Sequence, residues 1–180
     1  CARNNQARAA EAVRAAATAL ELARRCGDRY GIGNATNMLT FSETDVAKRM
    51  QLLRQSLAAF EAAGYVERRG VATHNLAITY SELGLNRRAR RLLLHADGIH
   101  RRTAALGSLA VTQWVLSELE AELGDFESAR TCAAEAIALN EARQDALTRA
   151  YRPFFEGRLA VQTRDYAGAI ARCTEAVGIL

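Results

Sequence analysis

The chain is short of residues that interrupt helices and of residues that do chemistry. It holds one proline (Pro153), one tryptophan (Trp114) and few aromatics, 6% in all. Proline stops helices, so a single one excludes a chain cut into short pieces by proline turns. Lys48 is the only lysine among 24 basic residues, and the rest are arginines. Heavy arginine and alanine use with almost no lysine points to a GC-rich bacterial genome. The net charge of +4 is a mild excess on a highly charged surface, and nucleic acid is not indicated by it. The cysteines, Cys1, Cys26, Cys132 and Cys173, form no CxxC pair, and no Cys/His cluster has metal-ligand spacing. They read as reduced thiols, and the expected location is cytoplasmic. No apolar run reaches the roughly 18 residues that a transmembrane helix needs. No basic, apolar and small-residue signal segment opens the chain.

What is present is helix-forming sequence with a long period. Hydrophobic residues make up 49% of the chain, helix formers dominate, and no segment alternates as a strand does. The expected fold is all-α. Ala129, Ala136 and Leu139 lie seven and ten residues apart, on one face of a helix. The spacing recurs at Ala89, Ala96 and Ile99, at Ala169, Ala176 and Ile179, and at Ala12, Ala19 and Leu22, with a worn copy at Met50, Leu57 and Phe60. The anchors are 38, 39, 40 and 40 residues apart. Gly84 and Gly124 stand five residues before their anchors, where Arg164 stands in the last copy. A fixed period near 40 with two helices per unit marks a helical solenoid.

The segment Asn75-Leu76-Ala77-x-x-Tyr80-x-x-x-Gly84-x-x-x-x-Ala89-x6-Ala96 resembles a tetratricopeptide (TPR) repeat. Gly124-Asp125-Phe126-x-x-Ala129-x6-Ala136 and Asp165-Tyr166-x-x-Ala169-x6-Ala176 are similar. The period exceeds the usual TPR length and is similar to long-period arrays of bacterial signalling proteins. The resemblance implies a right-handed α–α superhelix, with first helices of each pair on its concave face. Over residues 1–180 it implies one array: a helix at 3–26, then repeats at about 29–63, 66–106, 108–143 and 146–180. The unit at 29–63 departs most, having Ser42-Glu43-Thr44-Asp45 for a turn glycine. Ser42 or Thr44 is the expected cap of the helix that follows, and Asp145 of the one near 146. With no polar cap at either end, the array reads as a fragment of a larger protein. Pro153 lies inside a helix if that helix starts near Ala146, and in the first turn if it starts at Arg152.

Candidate site residues follow from the register. His74, Trp114 and Phe154 are 40 residues apart, on three successive first helices. Glu118 and Arg158 stand four residues after Trp114 and Phe154, on the same faces. These five form the expected partner-binding set, with ring packing between repeats as the competing role. Gly31-Ile32-Gly33 lacks the third glycine and the preceding strand of a phosphate loop. Arg87, Arg88, Arg90, Arg91, Arg101 and Arg102 on one helix read as a solvated basic face. His95 and His100 are five apart, off the spacing of a helical zinc pair. No catalytic, cofactor or metal site is expected, and the chain is not expected to be an enzyme.

The function these features imply is protein–protein interaction. The resemblance places the array within a multidomain bacterial signalling protein, such as a class III nucleotide cyclase or a MalT/LuxR-type transcription regulator. Two other readings stand beside it: a sensor of a small molecule or peptide inducer, and a module that self-associates through uncapped ends as a homo-oligomer.

Overall fold

The computed structural model describes the backbone of residues 2–141, 146–162 and 164–179, and side chains within 10–141, 152–161 and 164–179. Asp145 and Cys1 lie outside the described residues. The chain forms two compact units, Cys1–Leu85 and Asn86–Leu180. Every regular element among the described residues is an α-helix.

The first unit holds α1 (Ala2–Cys26), α2 (Arg29–Thr40), α3 (Val46–Ala62) and α4 (Val66–Glu82), each packed on the next. The second holds α5 (Asn86–Arg102), α6 (Leu106–Glu122), α7 (Phe126–Glu141), α8 (Ala146–Gln162) and α9 (Tyr166–Ile179), likewise in sequence. Within each unit short turns make successive helices neighbours, and one helix-ending design is used repeatedly. Leu85 N–H donates to the Tyr80 carbonyl at 2.9 Å, Asp125 N–H to Glu120 at 2.8 Å, and Asp165 N–H to Ala160 at 2.8 Å. Each bond reaches back across the last helical turn and needs a residue in the left-handed region. Gly84 (φ 71°) and Gly124 (φ 85°) supply it, and Arg164 does so as a non-glycine at φ 62°. Between second and first helices the same place holds Gly64 and then Ala104, at φ 51°.

Burial corrects the register of the early copies. Leu53, Ser56 and Phe60 are buried in α3, where Met50 and Leu57 are only half-buried. In α1 Leu20 and Ala23 are buried, whereas Ala12, Ala19 and Leu22 are exposed. Apart from Phe60, which is buried as expected, the buried set is therefore offset from the anchors expected there. Leu53, Leu93 and Ala133 follow at intervals of 40 residues, as do Ser56, Ala96, Ala136 and Ala176. The misreading has a physical source: these helices are so rich in alanine and leucine that an apolar residue stands beside each true core position.

The 29–63 repeat departs in further ways. The cap of α3 is Asp45, whose carboxylate accepts from Ala47 N–H at 2.9 Å and Lys48 N–H at 3.2 Å, in place of Ser42 or Thr44. Asp28 caps α2 by accepting from Gly31 N–H at 3.0 Å. Gly33 is a contact point: a Cβ there would stand 2.6 Å from the Phe60 ring. Ser56 Oγ donates to the Gly33 carbonyl at 2.9 Å across the same contact. The two glycines are thus accounted for by capping and close packing. Pro153 lies inside α8, so this helix forgoes one backbone bond there.

Candidate functional site

The five expected residues divide between the two units and between buried and exposed positions. His74, on α4 of the first unit, is 6% exposed and belongs to its interior. Trp114, on α6 of the second unit, is 8% exposed. It shares a core cluster with Ala133, Ala136 and Phe155, flanked by Val115, Ile137 and Leu159. Neither ring is the open groove anchor that the register suggested. Trp114 packs between helices, the competing role.

Phe154 is the ring that faces out, at 40% exposure. It rests against the buried pair, with its centroid 6.5 Å from that of Trp114 and 5.6 Å from that of Phe155. Phe155 was not singled out by the sequence; its only signal was adjacency to Phe154. Helix phase decides between the two: α8 turns Phe155 onto Trp114 and leaves its neighbour half in solvent.

Glu118 and Arg158 stand one turn along from these rings and form an ion pair between α6 and α8. Glu118 is half-buried, and its carboxyl is pushed above the usual range, chiefly by burial, against the pull of the Arg158 guanidinium. Glu122 pushes in the same direction as burial. The guanidinium side chain of Arg158 is half exposed. Phe154, Glu118 and Arg158 together make a small face on which an apolar surface adjoins a charge pair. Such a face can pack an apolar side chain and exchange a charged hydrogen bond with a ligand.

Polar ties also join the helices of this unit. Arg90 pairs with buried Glu120 at 2.5 Å, joining α5 to α6. Gln113 donates to Asp97 at 2.9 Å, and Arg101 bridges Asp97 and Glu135 at 3.0 and 2.7 Å, joining α5, α6 and α7. Two of the six arginines read as a solvated basic face are thus structural braces. Asp125 accepts from the Ser128 N–H and hydroxyl at 3.1 and 2.8 Å, which starts α7 and holds its carboxyl below the usual range. Cys26, Cys132 and Cys173 are free thiols. Burial, with Glu120 and other carboxylates nearby, pushes the Cys132 thiol up to about 11, so it is a poor nucleophile near neutral pH. In the first unit α1 and α2 border an apolar groove of about 710 Å³, lined by residues such as Ala16, Ala19, Leu22 and Met38. Among the described residues no group of His, Cys, Asp or Glu is placed to hold a metal, and no helix is long and apolar enough to cross a membrane.

No family model and no curated protein sequence matches the chain. Solved structures do. The nearly identical TPR-like repeats of a Podosopora anserina protein described as a kinesin light chain superpose with a TM-score of 0.65 at 17% identity, covering 97% of this chain and 88% of that one. A variant of the same protein gives 0.68 at the same identity and coverage. BtubC (BKLC) from P. vanneervenii gives 0.64 at 16% identity, covering 95% of this chain and 90% of that one. The fold is therefore all-α and of the TPR-like helix-pair repeat kind, as the sequence pattern implied.

Proposed function

We propose that the chain is a protein-binding repeat module, and that Phe154, Glu118 and Arg158 make its contact face in the second unit. The observation that carries this reading is the half-exposed Phe154 ring beside the Glu118–Arg158 pair, resting on the buried, stacked rings of Trp114 and Phe155. Aromatic and arginine side chains that become desolvated at the centre of a contact are the usual anchors of protein recognition. The TPR-like fold supports the same class of function. A partner of matching chemistry is a peptide or helix with an apolar side chain next to an acidic or basic one. A small-molecule sensor at these rings is less well supported, because Trp114 and Phe155 lie in contact and leave no slot between them.

The test is selection of peptides from a random display library on the immobilised chain, followed by affinity measurement on variants. Phe154→Ala and Arg158→Lys each weaken the selected peptides by about tenfold or more, a loss of at least about 1.4 kcal/mol, while circular dichroism shows both variants to be folded; lysine keeps a positive charge beside the Glu118 carboxylate. Peptides that bind both variants as well as the parent chain overturn this assignment.

The wider setting we infer is a cytoplasmic regulatory segment of a multidomain bacterial signalling protein, a nucleotide cyclase or a MalT/LuxR-type regulator. Its support is the long repeat period and the arginine-rich, lysine-poor composition. Reading the flanking coding sequence tests it: a parent that carries neither a cyclase nor a DNA-binding domain overturns it.

A further inference from the structure

We propose that the outward face of α5 binds a helix of a partner protein, one that carries acidic residues beside an apolar one. This proposal stands apart from the Phe154 face and does not depend on it.

At about 100° per residue, Arg87, Arg91, Leu94, Gly98 and Arg102 fall within about 80° of one another on α5. Ala89, Leu93 and Ala96, each 0% exposed, lie on the opposite side. Arg87, Arg91 and Arg102 are exposed, and Leu94 between them is 46% exposed. The Arg102 guanidinium lies over the same face, with Nη1 3.5 Å from where a Cβ on Gly98 would stand. Arg90 and Arg101 are turned aside, to Glu120 and to Asp97 and Glu135. Asp97, the one acid in α5, is held by Gln113 and Arg101. Arg87, Arg91 and Arg102 thus have no acid left to them on their own helix, and they enter no ion pair among the described residues.

The repeat does not require these charges. Where α5 has Arg87, Arg88, Arg90 and Arg91, α3 has Ala47, Lys48, Met50 and Gln51, and α7 has Glu127, Ser128, Arg130 and Thr131. In α7 the arginine pairs with Glu127 at 3.3 Å. The dipole of α5 also disfavours cations near its amino end, and no acidic residue stands in its first turn to offset them. Arg87 and Arg91 are therefore kept where neither the repeat nor the helix favours them, and carboxylates from outside relieve that repulsion.

A cleft at the amino end of α5 receives such carboxylates. It measures about 430 Å³ and is lined by Arg87, Arg90, Arg91, Glu120, Leu123 and Asp125. Glu120 is taken by Arg90, and Asp125 by the Ser128 N–H and hydroxyl, so the Arg87 and Arg91 guanidiniums are the groups left to a ligand. They stand one helical turn apart, which matches two acids at i and i+4 on a facing helix. Each guanidinium can hold a carboxylate by two parallel hydrogen bonds. Leu94 and Leu123, 46% and 40% exposed, offer apolar contact amid the charges. Nucleic acid fits this face less well. Its evenly spaced phosphates would meet Glu122, held by the Asn86 amide at 3.3 Å at the same end, and would set charge against Leu94. A protein helix places carboxylates only where guanidiniums stand.

A phage library of helical peptides, randomised at their exposed positions and selected on the immobilised whole chain, tests the proposal. One group of selected peptides is expected to carry Asp or Glu at i and i+4, with an apolar residue in the next two turns. Its dissociation constants rise about tenfold or more with Arg87→Glu and with Arg91→Gln, and about fivefold with Leu94→Ser. Phe154→Ala leaves them unchanged. Arg87→Glu puts an acid in the first turn of α5, as Glu127 is in α7, so the melting temperature holds or rises and lost binding is not lost folding. A selection in which no peptide responds to the two arginine variants, or in which the responding peptides lack the acidic pair, overturns the proposal. So does a DNA duplex of about 20 base pairs that binds the chain as tightly as these peptides and is lost with the same variants.

Discussion

The indole of Trp114 lies flat on the ring of Phe155, with centroids 3.9 Å apart and planes 16° from parallel. The two rings close the space that α7 leaves between α6 and α8, above Ala133 and Ala136. Removing either ring empties a volume that backbone packing cannot close. Trp114→Ala and Phe155→Ala each cost about 3–5 kcal/mol. Phe154→Ala, at the half-exposed neighbour, costs less, about 1–2 kcal/mol, because 40% of that residue stays in water and its removal opens no enclosed cavity. Urea unfolding followed by circular dichroism ranks the three. Equal losses at Phe154 and Phe155 would mean that the outward ring is core, and the proposed contact face would fall with that result.

The sequence exposed the repeat because alanine at a helix crossing leaves a periodic trace. Ala89, Ala96, Ala129, Ala136, Ala169 and Ala176 are all buried, as their spacing implied. It misled in α1 and α3, where alanine and leucine flank the true core positions and Ser56 stands in place of the alanine. The site was half legible. The spacing put Glu118 on the face of Trp114 and Arg158 on the face of Phe154, but their ion pair was not expected from it. The burial of Trp114 and the outward turn of Phe154 did not follow from it either, because they depend on how α8 is rotated against α6. One ring's width separates a groove anchor from a core residue, and no single-residue pattern reports that rotation.

Gly33 and Gly157 are helical glycines at which another helix closes in. A Cβ at Gly33 would meet the Phe60 ring at 2.6 Å, and Phe60 is 1% exposed and cannot swing away. A Cβ at Gly157 would stand 2.8 Å from Cys173 Sγ and 3.3 Å from the Ala169 carbonyl oxygen. Alanine at either site therefore costs about 1–3 kcal/mol through overpacking, despite its better helix propensity. Gly98, within α5, is the control: its nearest neighbour is the Arg102 side-chain end at 3.5 Å. Gly98→Ala gains up to about 1 kcal/mol. Thermal melts of the three variants check the opposite signs.

Arg164 and Ala104 hold left-handed backbone conformations that glycine holds elsewhere in the same turns. An L side chain in that region costs roughly 1–2 kcal/mol, partly offset by the greater freedom that glycine has in the unfolded chain. Arg164→Gly and Ala104→Gly are each expected to stabilise the fold by up to about 1 kcal/mol. Gly84, Gly124 and Gly64 show that these turns accept glycine without further change. The comparison is by midpoint of urea unfolding, with Gly124→Ala as the reverse variant. A loss of stability at Arg164→Gly would show that the arginine side chain contributes more than its backbone strain costs.

Glu118 makes the fold sensitive to pH in a direction that follows from its burial. Its carboxyl is raised above the usual range because desolvation outweighs the attraction of Arg158, with Glu122 adding repulsion. The folded chain therefore holds this proton more tightly than the unfolded chain, where a glutamate titrates near about 4.3. Between that value and the raised folded value the native state carries more protons, so the stability it contributes is full below the window and is lost as pH rises through it. Glu118→Gln abolishes this term: relative to the parent chain, the variant gains stability from pH 4 to pH 7. Arg158→Ala acts oppositely on the group, removing the pull on the carboxylate, and shifts the window to higher pH. Unfolding midpoints of the three chains across this range decide the matter. If the parent chain instead gains on Glu118→Gln as pH rises, the ion pair with Arg158 outweighs burial and the carboxylate is a net stabiliser of the α6–α8 contact.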